Sequence, residues 1–278
     1  AKRGDRIAIM SNTCFQWVIS DLAILGIGGV TIPIYQNSTP EDIEFILNNS
    51  GAVAALVEDR VQYEKLRRLR PRLPSLKSIG SFTPTNDDQV YSFQALLDKG
   101  DAFLRKQPQY FLQECEKTQL SEAATIVYTS GTTGQPKGAV LLHSCIASEA
   151  HDVIGLLDLN ERDVSLAFLP FAHIFGRIEL WTHIYAGWTM CFAQSIDRIT
   201  ANLIDVKPTF MLAVPRIFEK IYARILSQLE SGSATKKKIF HWASALGSQV
   251  SQCKRTNQEI PLKVALEYGV AYRLVFRK

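Results

Sequence analysis

The run Thr129-Ser130-Gly131-Thr132-Thr133-Gly134-Gln135-Pro136-Lys137-Gly138 is where residue types and spacing speak most plainly of chemistry. Glycines at 131, 134 and 138 let the backbone come close to a ligand and adopt positive φ. Successive N–H groups can then form an anion-binding concavity. Thr129, Ser130, Thr132 and Thr133 add hydroxyls that donate hydrogen bonds and can also bind a metal ion, and Lys137 brings a mobile charge suited to phosphate. A Walker A loop is excluded, because its second glycine would fall on Pro136 and its Ser or Thr on Gly138. The next segment also reads as a strand where that motif needs a helix. A plain polar hairpin is the blander alternative, but it needs no such set of four hydroxyls, three glycines and a lysine within residues 128–138.

A second cluster is Leu169-Pro170-Phe171-Ala172-His173-Ile174-Phe175-Gly176-Arg177, which follows an apolar strand. A neutral imidazole at His173 can donate one hydrogen bond to a reacting oxygen; the plainer reading is a satisfied core histidine. Phe171, Phe175 and Trp181 suit either an acyl pocket or ordinary helix packing. His143, His151, His183 and His241 show no partner pattern. The basic runs at Lys65, Arg67, Arg68, Arg70 and Arg72 and at 236–238 read first as solvated helix faces. Coenzyme A phosphates or anionic lipid are their less favoured partners.

The elements that position these residues alternate. Strands are expected at Arg6–Met10, Val30–Tyr35, Ala52–Val57, Ala124–Tyr128, Gly138–Leu142, Val164–Leu169, Thr189–Phe192 and Phe210–Val214. Helices are expected at Cys14–Leu25, at 40–49 behind a Thr39 cap and Pro40, and at Ser144–Leu157, Ile174–Tyr185, Ile196–Val206, Pro215–Leu229 and Lys236–Ser251. Strand–helix–strand order implies parallel pairing with crossover helices, an α/β fold. The segment Lys77–Gln119 is the least regular, with a polar loop at Ser81–Asp88 and a short helix at Phe93–Leu97. The weakest internal boundary belongs there, giving subdomains 1–120 and 121–278.

The 278 residues are 46% hydrophobic and 21% charged, an ordinary globular composition, and the net charge of +4 is too weak to argue for nucleic acid. Five scattered cysteines without C-x-x-C spacing give no support to a zinc site or disulfide framework and fit a reducing compartment. The longest apolar stretch, Leu22–Tyr35, is too short to span a bilayer and is broken by glycines and Pro33. A cytoplasmic protein is expected, with peripheral membrane contact left open.

The 129–138 run resembles the phosphate-loop signature of the adenylate-forming, AMP-binding superfamily: acyl-CoA synthetases, luciferases and peptide-synthetase adenylation domains. Asn12, Trp17, Asp21, Leu22, Ala23, Gly26 and Pro33 resemble its N-terminal pattern, and 169–177 its acyl-pocket motif. Lys207-Pro208-Thr209 with Val214–Ile221 is similar to the long-chain fatty acid–CoA ligase branch. The resemblance implies the parallel-type sheets of that superfamily's large N-terminal domain. It implies that a carboxylate, most simply a long-chain fatty acid, attacks ATP to give an acyl-adenylate, and that coenzyme A then takes the acyl group. Mg²⁺ would accompany ATP. It assigns Thr129, Ser130, Gly131, Thr132, Thr133, Gly134 and Lys137 to the nucleotide, Thr129 to the metal, His173 and Lys137 to catalysis, and His173, Phe175, Gly176 and Arg177 to the acid. Arg177 departs from relatives that carry an aromatic gate there. No aromatic-Gly-x-Thr-Glu segment, ribose aspartate or C-terminal catalytic lysine is found, so the resemblance implies a truncated N-terminal fragment unable to complete the reaction alone. An acyl-AMP ligase serving a carrier protein and a non-catalytic nucleotide- or lipid-binding module are the alternatives. No nucleic-acid partner is expected; acyl length and oligomeric state are not legible.

Overall fold

The structure, a computed structural model, describes residues 1–129 and 135–277. Strands β1 (Arg6–Met10), β2 (Val30–Ile34) and β3 (Ala54–Val57) alternate with helices α1 (Phe15–Gly26), α2 (Pro40–Ser50) and α3 (Arg60–Leu69). Next come β4 (Ser78–Ser81), β5 (Tyr91–Ser92), α4 (Phe93–Lys106) and α5 (Tyr110–Glu116). The hairpin strands β6 (Ala123–Thr129) and β7 (Lys137–Leu142) lead to α6 (His143–Leu157). Then follow β8 (Val164–Ala167), α7 (Ile174–Ala186), β9 (Thr189–Phe192) and α8 (Ile199–Val206).

Seven strands form one sheet in the order β5-β4-β3-β1-β2-β6-β7. All neighbours are parallel except β6 and β7, which pair antiparallel. β8 and β9 make a second, two-stranded parallel sheet, which Phe210 joins by a single bridge to Ser165. The α/β expectation with mostly parallel sheets therefore holds.

Alternation along β1 shows how the core is divided. Ala8 and Met10 point to one face, where Ile43, Leu47, Leu66 and Leu69 of α2 and α3 cover them. Ile7 and Ile9 point to the other, where Trp17 and Ile24 of α1 and Leu180 and Trp181 of α7 pack. Thr39 caps α2 by accepting the Asp42 N–H at 3.2 Å, with Pro40 at the first helical position as its sequence foretold. Gly51 ends that helix in the left-handed region, φ 64°, which a side chain would resist.

Two expectations need correction. The irregular stretch 77–119 holds two strands and two helices, and α4 runs for 14 residues where only five were foreseen. Ser92 caps α4 through the Ala95 N–H at 3.1 Å, a signal hidden by the polar loop before it. The strand foreseen at Phe210–Val214 is reduced to that one bridge, since apolar character cannot make a strand without a full partner edge.

Contacts divide the chain into two compact units, Ala1–Leu212 and Ala213–Lys278. The second is helical: α9 (Pro215–Glu230), α10 (Ala234–Arg255) and α11 (Leu262–Ala271), with Ala243, Leu246 and Ala271 as its small core. Among the described residues no helix is long and apolar enough to cross a membrane.

Candidate functional site

β2 and β6 lie side by side and parallel, with Thr31 opposite Thr125, so their carboxyl ends open on the same side of the sheet. Ligands of open α/β sheets settle outside those ends. A cleft of about 440 Å³ lies there, within the range of small-molecule sites. Its walls are Tyr35, Ser38, Asp42 and Ile46 after β2, Val127, Tyr128, Thr129 and Pro136 of the hairpin, and Ala172, His173 and Ile174 at the start of α7.

Thr129 and Lys137 are cross-strand partners at the base of the hairpin, and both are exposed. The antiparallel pairing thus holds the two ends of the 130–136 segment together. Ser130, Gly131, Thr132, Thr133 and Gly134 lie outside the described residues. Gly138 is required by packing: a Cβ there would meet Ile126 at 2.9 Å and the Tyr128 ring at 3.1 Å. That ring crosses the hairpin, and its hydroxyl donates to Asn49 Oδ1 at 2.7 Å, tying β6 to α2. Burial pushes the Tyr35 phenol up from its ordinary value, which keeps it a hydrogen-bond donor at the cleft wall.

His173 is the N-cap of α7 and is exposed to the cleft. Its Nδ1 accepts the Phe175 N–H at 3.2 Å. An accepting nitrogen carries no proton, so the neutral ring holds its hydrogen on Nε2. The imidazole therefore offers a donor. Two further bonds fix the segment before it: His173 N–H donates to Pro170 O at 2.9 Å, and Thr13 Oγ1 donates to Leu169 O at 2.6 Å.

The structure separates the remaining candidates from the cleft. Gly176 is buried, and a Cβ there would meet Pro170 O at 2.6 Å, so glycine serves the close passage of the 169–172 segment over α7. Phe175 is half-buried, with its N–H on His173. Arg177 has no exposed surface to offer an acid. Its Nη2 donates to Asp21 Oδ1 at 2.7 Å and Oδ2 at 2.9 Å, and its Nη1 to Thr125 Oγ1 at 2.7 Å. The guanidinium lies against Trp17 and Trp181, 5.1 and 4.7 Å from the rings. Burial works against its charge and Asp21 works for it. Phe171 and Trp181, open to two readings from sequence, pack in the core on the α1 side of the sheet.

Glu179 is a fully buried residue of α7, and neither carboxylate oxygen has a partner at full hydrogen-bond geometry among the described residues. Burial pushes its carboxyl up to about 7. The Ser165 hydroxyl, which accepts from Trp188 Nε1 at 3.2 Å, relieves this only in part. Tyr35, Ser38 and Asp42 escaped the sequence reading. Their signal was the polar turn directly after a buried strand, at the strand end where such folds place ligands.

No cluster of three or more His, Cys, Asp or Glu that would hold a metal occurs among the described residues. In the cleft, the Thr129 hydroxyl and Asp42 carboxylate are hard oxygen donors in small number. That suits a hard divalent cation that takes most of its oxygen ligands from a bound molecule.

Comparison with known proteins bears on the family and the fold. The long-chain-fatty-acid–CoA ligase FadD15 of Mycobacterium bovis is 32% identical over 99% of this chain and 45% of its own length. The long-chain-fatty-acid–CoA ligase ACSBG2 of Rattus norvegicus is 29% identical over 98% of this chain and 42% of its own. The chain thus spans less than half the length of these curated relatives. A crystal structure of a putative long-chain-fatty-acid CoA ligase from Rhodopseudomonas palustris superposes with a TM-score of 0.65 at 18% identity, over 85% of this chain and 55% of that one, and speaks for the fold alone. A family model described as AMP-binding enzyme matches residues 1–268, nearly the whole sequence, and on that match this chain belongs to the AMP-binding enzyme family.

Proposed function

We propose that the cleft holds ATP beside a carboxylic acid, and that the protein serves as an acid–thiol ligase of the long-chain fatty acid–CoA type. The observation that carries this is the meeting of Thr129 and Pro136 of the hairpin with the His173 imidazole around one opening at the carboxyl ends of β2 and β6, with Lys137 the cross-strand partner of Thr129. Backbone amides and hydroxyls of 129–134, with the Lys137 ammonium, would embrace the β- and γ-phosphates. Thr129 would be the protein ligand of the accompanying Mg²⁺, which supplies charge neutralisation on the phosphates. The His173 Nε2–H would donate to the acid's carboxylate and then to the adenylate oxygens. In the first step a carboxylate oxygen attacks the α-phosphorus and pyrophosphate leaves. In the second a thiol sulfur attacks the acyl carbon and AMP leaves. The relatives' names support a long-chain acid and coenzyme A. The placement of Arg177 speaks against a direct role on the acid.

ATP–pyrophosphate exchange with a long-chain fatty acid tests this in the full-length gene product. Exchange should appear and should fall by roughly tenfold or more in Lys137→Ala, the scale of losing one preorganised charge. Exchange that is absent with every carboxylate tried, together with no calorimetric binding of Mg·ATP, would defeat the reading. Offering coenzyme A against a holo-carrier protein as acceptor decides the second step.

A further inference from the structure

We infer that the buried Arg177–Asp21 pair positions His173 relative to the phosphate hairpin, so that Arg177 acts on the reaction through the imidazole and not through the acid. Arg177 stands one helical turn after His173 on α7. Thr125, which accepts from nothing nearer than the Arg177 Nη1 at 2.7 Å, stands on β6 four residues before Thr129, roughly 13 Å along a strand. The guanidinium therefore joins the element that presents the imidazole to the element that presents the hairpin.

The join is directional at every contact. Both Asp21 oxygens accept from Nη2, and Asp21 Oδ1 also accepts from Thr31 Oγ1 at 2.6 Å. Thr125 Oγ1 in turn donates to Thr31 O at 2.7 Å, so α1, β2, β6 and α7 meet in one bonded cluster. The planar fork of Arg can meet these acceptors in one orientation only. Trp17 and Trp181 each present a ring to it, 5.1 and 4.7 Å away. The rotation of α7 about its axis is thereby set from within the core. At its far end α1 is reached by the same segment, since Thr13 just before it holds Leu169 O.

Stability alone does not account for this arrangement. A buried ion pair is commonly matched or exceeded in stability by apolar residues of the same volume. Here the pair also leaves Arg177 Nε and the Trp17 and Trp181 Nε1 atoms without partners among the described residues. What the charges supply that methyl groups do not is a fixed angle and register.

This inference rests on the adenylation reading of the cleft for its kinetic consequence, though not for its structural one. The test uses the full-length gene product and the double variant Asp21→Asn/Arg177→Met. That variant removes both charges at once, keeps an acceptor for Thr31, and leaves no lone buried ion. Histidine Cε1 labelling, with the His173 signal assigned by its loss in His173→Ala, reports the ring directly. The expected result is a melting temperature close to wild type, a shifted His173 signal, and adenylation kcat reduced roughly tenfold or more with KM for ATP within about twofold. Leu73→Ala, a core change on the α3 side, is the stability control; it should lower melting without moving the signal or kcat. An unmoved His173 signal, or a kcat loss no larger than in a control of equal melting loss, would overturn the inference. Absence of exchange in the wild type would count against the adenylation reading instead, while the His173 signal still decides the positioning claim. If the double variant does not fold, Arg177→Lys, which keeps the charge and loses the fork, carries the same two readouts.

Discussion

On one face of the seven-stranded sheet, α2 and α3 lay Ile43, Leu47, Leu66 and Leu69 over Ala8, Met10, Ile32 and Val57. On the other, α1 and α7 bring Asp21 and Arg177 to the Thr31 and Thr125 side chains, and α7 also carries the buried Glu179. The first face is closed by apolar area, which is indifferent to small rotations. The second is closed partly by hydrogen bonds and charge, which are not. The helix that carries His173 belongs to the second. The proposed site would thus sit on the face whose contacts impose fixed angles.

The comparison can be broken at the pair itself. Asp21→Asn leaves the Arg177 guanidinium buried without its counter-ion and should cost about 4 kcal/mol in denaturant unfolding, far more than the loss of one hydrogen bond. Stability unchanged within error would show that the cation finds water. Glu179 gives the next largest effect. Its folded pKa of about 7 stands above the ordinary value of 4.5, so its stabilising proton is held in both states below pH 4.5. As pH rises from there to about 7 the unfolded chain releases that proton first, and stability falls by about 3 kcal/mol. Glu179→Gln should flatten that decline and melt higher than wild type at pH 8. His183, lowered by burial, acts in the opposite sense as pH falls, and comparing the two proteins at each pH removes it. Parallel pH profiles for wild type and Glu179→Gln would refute the assignment.

Smaller effects sharpen the contrast from the apolar side. Ile43→Val, at a fully buried position on α2, should cost about 1 kcal/mol, equally at pH 5 and 8. A pH-dependent cost would mean that the two faces are coupled. Thr39→Ala removes the α2 cap and should cost somewhat less than about 1 kcal/mol, read as a small fall in melting temperature with pyrophosphate exchange retained. Loss of exchange there would make the turn after β2 part of the chemistry.

Local grammar was readable in the sequence, and long-range polar pairing was not. β1 and β9 begin and end where alternation and β-branching put them, and Thr39-Pro40 marks the start of α2 to the residue. The hairpin was legible because a polar glycine-rich run separates two apolar ones. Failures came where tertiary contact decides. Phe210–Val214 has strand character but finds one bridge, while Ser78–Ser81 has little and becomes a strand beside β3. Within the site, His173 was visible from its place after a strand. Arg177 was assigned to the acid because a sequence cannot show a counter-ion 156 residues away. Tyr35, Ser38 and Asp42 reach the cleft only once β2 and β6 are known to be neighbours.

One ring nitrogen of His173 is already committed to starting a helix, and only the other remains for a ligand. On the proposed reading of the cleft, scaffold and reagent would share a single side chain, each on its own atom. An asparagine, itself a good helix starter, would preserve the scaffold half while moving the donor. Position 173 is therefore where one codon would pull holding the chain apart from the proposed handling of the substrate.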